Sequence, residues 1–143
     1  MDRLLGPHEH GFYLPAFELA AVCFFSVVDI SEGYRMRSSN ALFVAETHIT
    51  YERVLRAGAG LRFASQTLDA SDKAIDCMHF MYAADEGYLA AVNQVLYIHV
   101  DLERRRAAPF PDDAQARIDA WREAHASLPL PPQAGRSIGL RKS

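Results

Sequence analysis

Glu46 and His48 stand two residues apart in the stretch Ala45-Glu46-Thr47-His48-Ile49-Thr50-Tyr51-Glu52-Arg53-Val54. If that stretch is a β-strand, both side chains point the same way. A carboxylate beside an imidazole can hold the ring in one tautomer, activate a water, or bind a cationic group. A strand that hides such residues must satisfy them or use them. The plainer alternative is a structural Glu–His pair on an exposed face. Glu18 is a second carboxylate in an unusual setting, inside the otherwise apolar run Phe12 to Val28. Read from the residues alone, it is a buried acid tied to a neighbouring strand or to a partner subunit. Tyr13, Phe17 and Tyr51 can wall a cationic ligand. Arg136 and the run Arg104-Arg105-Arg106 can meet phosphates, although a solvated charge run serves no such purpose. His8-Glu9-His10 sets two imidazoles two residues apart, but no third ligand has a recognisable spacing, so no metal is expected.

The elements that must position these groups are legible in the periodicity. Residues 12–28 form a helix that starts between Gly11 and Pro15, because proline fits only a first turn. Apolar side chains cover almost every side of it, which predicts a helix buried all round. Residues 41–54 alternate as a strand, with Leu42, Val44, Glu46, His48 and Thr50 on one face. The other face carries Phe43, Ala45, Thr47, Ile49 and Tyr51. A turn at Arg56 to Gly60 leads to a second strand, Leu61 to Leu68. A turn at Asp69 to Lys73 leads to a third, Ala74 to Ala83. Residues 84–87 turn again into a fourth, Tyr88 to Asp101. Asn93, Tyr97 and His99 share one face of that last strand, and the pattern alone leaves open whether it points in or out. Four strands in meander order around one helix predict an α+β architecture, a long central helix wrapped by an antiparallel β-sheet. Beyond a link at Pro109 to Pro111, Asp112-Asp113 offers an N-cap pair. A short helix with Trp121 follows over residues 114–126, and then an extended tail.

The whole chain narrows the classes. With 143 residues it is expected to be one domain, with residues 1–11 as an N-terminal motif region and residues 112–143 as C-terminal helix and tail. A net charge of −3 gives no electrostatic reason to expect nucleic acid. Cys23 and Cys77 both lie in apolar runs and read as buried free thiols. Residues 1–10 carry no apolar signal-peptide core, and Leu19 to Val28 is too short to span a bilayer. A cytoplasmic protein with no membrane partner is the default expectation.

The order of a glycine turn, a buried helix and a long antiparallel sheet resembles the hotdog-fold acyl-CoA thioesterases, within the 4-hydroxybenzoyl-CoA thioesterase-like superfamily. Glu46 to Tyr51 with Arg56-Ala57-Gly58 is similar to the segment after the central helix, above all in members that act on betainyl- or carnitinyl-CoA. Glu86 to Ala91, His99-Val100-Asp101-Leu102 and Pro109-Phe110-Pro111 resemble the last strand and its exit. Ala134 to Gly139 resembles the C-terminus. The resemblance covers about residues 6–143 and implies hydrolysis of a small acyl-CoA to free acid and coenzyme A. No cofactor is implied, since coenzyme A is part of the substrate. It further implies an oxyanion held by backbone N–H near His10, a homodimer or dimer of dimers with a sheet continuous across the two-fold axis, and sites at that interface. The departure is at the N-terminus. The family motif is Asp, two residues, then Gly-His-Met-Asn, and here Arg3, Pro7 and Glu9 fall at its Asp, His and Asn. Asp2 is one residue out of register, and five residues before Gly6 leave no room for the usual edge strand. Either the start lies upstream or the usual carboxylate is lost. Glu18, Glu46 and His48 are then the substitutes for catalysis. The rival reading is a catalytically impaired module that binds acyl-thioesters or only dimerises. A hydratase is a weaker third, because its Asp and His pairing on one loop is not found.

Overall fold

The computed structural model describes residues 10–28, 30 and 32–140, apart from the side chains of His10 and Glu32. Its elements are α1 (His10–Val27), α2 (Glu32–Ser38), β1 (Asn40–Tyr51), β2 (Leu61–Ala70), β3 (Ala74–Ala83), β4 (Leu89–Asp101), β5 (Arg106–Ala107) and α3 (Asp112–His125). The strands form one antiparallel sheet in the order β1-β4-β3-β2, with β5 added to the end of β4. The α1 helix lies on one face of it, as the α+β expectation requires.

The meander expectation holds for β2, β3 and β4 but fails for β1, which pairs with β4 rather than β2. The reason is the link. Two-residue hairpin loops force neighbours to pair, whereas residues 52–60 form a longer connection. It runs across the start of β4, where Glu52 and Arg53 donate backbone N–H bonds to Ala90. Leu55 is pinned beneath it, 1% exposed, and the chain then reaches the far edge.

A second correction concerns the faces of β1. The register slips between Val44 and Glu46, leaving Ala45 without a partner on β4. A bulge of one residue reverses the parity of everything beyond it. Leu42 and Val44 pair with His99 and Tyr97, whereas Thr47, Ile49 and Tyr51 pair with Val95, Asn93 and Ala91. Those β4 residues are all buried and face α1. Glu46 and His48 therefore do not share a face with Leu42 and Val44. They lie on the opposite, outer side of the sheet.

The helix differs from expectation in two ways. It begins at His10, which puts Pro15 inside it rather than in its first turn. Proline there removes one N–H donor, and the packing of Tyr13, Ala16 and Phe17 against the sheet carries the helix through. Nor is α1 buried all round. Tyr13, Ala16, Phe17, Ala20 and Phe24 form one buried stripe, while Leu14, Leu19, Val22 and Val27 face outward. Cys23 is exposed with them; only Cys77 is a buried thiol. The α2 helix was not anticipated. Its Tyr34 is buried and hydrogen-bonds His99, which shows that the Asn93, Tyr97 and His99 face points inward.

The α3 helix and the tail wrap the second edge. Pro111, not Asp112 or Asp113, occupies the N-cap, and both acids sit in the first turn, where they favour the helix dipole. His125 Nδ1 accepts the Thr67 N–H, and Arg122 donates to the Ala70 carbonyl, so α3 satisfies groups on the β2 edge. The tail then crosses to the outer face. Gln66 donates to the Pro129 carbonyl, Gln133 to Glu52, and the Gly135 N–H to Gln94. Gly135 has φ of 68°, a left-handed conformation that lets the backbone turn its N–H into the sheet. The tail is thus seated on the sheet rather than merely extended.

Candidate functional site

The first turn of α1 leaves backbone N–H groups without helical partners, the arrangement that binds a developing oxyanion. His10 is its first residue. Tyr13 anchors this end of the helix to the end of β1 by an edge-to-face contact with Tyr51, ring centroids 4.9 Å apart. Phe17 makes a similar contact with Phe63 at 5.9 Å. Of the three predicted aromatic walls, Tyr13 and Phe17 are therefore spent on the core, 5% and 2% exposed. Tyr51 remains open to solvent, and desolvation of its phenol raises its pKa, so it stays a neutral hydroxyl. On the same face, Thr47 donates to Asn93 at 2.5 Å. That pair escaped the sequence reading because the bulge hides the facing of Thr47.

Glu46, His48 and Arg136 meet elsewhere. They line a polar cleft of about 470 Å³ on the outer face, together with Asp76, Gln94 and Gly135. The sequence places Glu46 beside His48, and the structure adds Asp76 from β3 and Gln94 from β4, joined by a 3.0 Å hydrogen bond. Arg136 lies 3.8 Å from Glu52, which ties the tail to the end of β1. Glu18 stands apart from both groups, on the solvent side of α1. The sheet thus divides the candidates. The helix start, Glu18, Tyr13, Phe17 and Tyr51 belong to the helix side; Glu46, His48 and Arg136 belong to the outer side. The helix start and Glu46 therefore lie on opposite sides of the sheet. The metal candidates His8 and Glu9, and the motif positions Asp2, Arg3 and Pro7, lie outside the described residues.

Residues 5–118 match the Thioesterase-like superfamily. The chain belongs to that superfamily. A betainyl-CoA thioesterase of Pseudomonas aeruginosa is 32% identical over 135 residues, covering 94% of this chain and 85% of that protein. An L-carnitine dehydrogenase/betainyl-CoA thioesterase of Ruegeria pomeroyi is 35% identical over 129 residues, 88% of this chain but 25% of the larger protein. In structure, a hypothetical protein from Staphylococcus aureus in complex with CoA superposes with a TM-score of 0.84. That match covers 99% of this chain and 87% of the other at 19% identity, which speaks to the fold. The hotdog architecture implied by the sequence is therefore the architecture of this thioesterase-like chain. No described helix is long and apolar enough to cross a membrane.

Proposed function

We propose that this chain is an acyl-CoA thioesterase that hydrolyses a small acyl-CoA, with betainyl-CoA the first substrate to test. The match that spans 94% of this chain and 85% of a betainyl-CoA thioesterase carries the reading. The geometry supports it by setting the start of α1 beside Tyr51 on the sheet. In the reaction, a water oxygen adds to the thioester carbonyl and the carbonyl oxygen takes up negative charge. Backbone N–H groups at the start of α1 stabilise that charge. The C–S bond then breaks, and the coenzyme A thiolate leaves with a proton. No cofactor is required.

Of the two carboxylates, Glu18 is the one we assign to activating water. It belongs to the same layer as the helix start, whereas Glu46 points from the opposite face. Because Glu18 lies eight residues past His10, roughly 12 Å along the axis, it serves the helix start of a second copy rather than its own. A second copy that extends the sheet keeps that separation, since outer faces join outer faces. Glu46, His48 and Arg136 then serve the polar part of the substrate, or only the docking of the tail. We further infer a homodimer built on the β1 edge, where Phe43 and Val44 stand half exposed, and a cytoplasmic setting.

The test is thiol release from a panel of acyl-CoAs that includes betainyl-CoA. Glu18→Gln is expected to lower kcat by about 10²–10⁴-fold, with Glu46→Gln near the parent. The reverse pattern would transfer the role to Glu46. Coenzyme A binding without any turnover would instead make the chain a binding module.

A further inference from the structure

Between the outer side of α1, the helix-facing side of β2, and α3 lies an apolar groove of about 340 Å³. Leu19, Cys23, Phe24, Phe63 and Trp121 line it, and Ser65 is its hydroxyl. Ser65 is the outer end of a buried relay. Its Oγ lies 2.6 Å from His79 Nδ1, and His79 Nε2 lies 2.7 Å from the Tyr97 hydroxyl. His79 and Tyr97 are 0% and 1% exposed.

The direction of the relay follows from burial. The Tyr97 hydroxyl makes its hydrogen bond, among the described residues, to His79 alone. Phe24 stacks on its ring and Phe25 meets it edge-on, so neither offers an acceptor. Leaving that buried proton unbonded costs about 1–3 kcal/mol. Tyr97 therefore donates to Nε2. Burial depresses the His79 pKa to about 4, so at neutral pH the ring carries one proton. With Nε2 accepting, that proton sits on Nδ1 and is donated to Ser65 Oγ. The Ser65 hydroxyl hydrogen has no partner within the relay and is left to donate into the groove.

We propose that this groove is a ligand site separate from the thioester site. It takes an uncharged, chain-like apolar molecule that carries a carbonyl acceptor, as a ketone or ester does. The walls supply apolar contact, and the relay supplies one oriented donor. Cys23 lies thirteen residues past the first residue of α1, which at 1.5 Å per residue is roughly 20 Å along the axis. A small acyl group held at the helix start does not span that distance.

Trp121 is the chain's single tryptophan and lines the groove, so its fluorescence reports occupancy by 2-octanone. Saturable quenching is expected in the parent protein and in Ser65→Thr, which keeps the hydroxyl. Affinity should be about three- to tenfold weaker in Ser65→Ala, the loss of one hydrogen bond. Cys23→Phe, which fills the groove from its open side, should abolish saturation. Excess coenzyme A should change nothing. Quenching that never saturates, equal affinity in Ser65→Ala, or displacement by coenzyme A would overturn the proposal. Thiol release plays no part in the readout, so the proposal stands or falls apart from the thioesterase reading.

Discussion

At the residue scale, His79 shows how burial sets both chemistry and stability. Its ring is enclosed by Ser65, Tyr97 and Phe24. Desolvation lowers its pKa from 6.5 to about 4. The unfolded chain thus binds a proton near pH 6.5 that the folded chain refuses until near pH 4. Stability from this group is complete above pH 6.5 and is lost as the pH falls towards 4. Two and a half pKa units correspond to about 3 kcal/mol. Denaturant midpoints at pH 7 and pH 4.5 should show a drop in the parent protein and a clearly smaller one in His79→Gln. Equal drops would mean that other groups govern the acid limb. The same scale explains why the sequence misjudged Cys23. Apolar neighbours in sequence say nothing about which side of a helix a thiol occupies.

At the element scale, the bulge at Ala45 is decisive. It turns a strand that reads as one alternating run into two runs of opposite facing. Regular alternation would have put Glu46 and His48 over the helix side. The bulge puts Thr47, Ile49 and Tyr51 there, and Ile49 packs against the cluster that holds Tyr13 and Phe17. Deleting Ala45 should remove the bulge and leave Val44 and Glu46 as neighbours on opposite faces, with every β1–β4 pair and the outward facing of Glu46 and His48 intact. A loss of no more than about 1 kcal/mol is expected, read from urea midpoints. A loss of several kcal/mol would show that the strand needs the bulge for more than the facing of these residues. The tail is a second element whose role comes from placement. Its hydrogen bonds to Glu52 and Gln94 roof the outer face and create the cleft around Glu46 and His48.

For the whole molecule, the two edges of the sheet are treated differently. On the β2 edge the Thr67 N–H and the Ala70 carbonyl are bonded by His125 and Arg122 of α3. The β1 edge carries Phe43 and Val44 at 50% and 57% exposure. An edge of that kind invites a second strand. Sedimentation velocity should give twice the chain mass. The double substitution Phe43→Lys/Val44→Lys should shift the protein to monomer and cut thiol release with it. A parent protein that sediments as a monomer would remove the interface reading.

What the sequence determined by itself is the set of local facts. Period-two alternation marked β1, and Asp, Ser and Gly clusters placed the turns that delimit β2, β3 and β4. The density of apolar residues over residues 12–28 marked α1. These signals depend on neighbours a few positions apart, so they survive without a fold. The partner of β1, the facing of Glu46 and His48, and the bare side of α1 were decided only in three dimensions. Each depends on contacts between residues distant in sequence. A one-residue bulge has no signature in β1 alone, because it exists only relative to β4. The Ser65, His79 and Tyr97 relay was out of reach for the same reason. Its members come from three strands, and only the pairing of β2, β3 and β4 brings them into line.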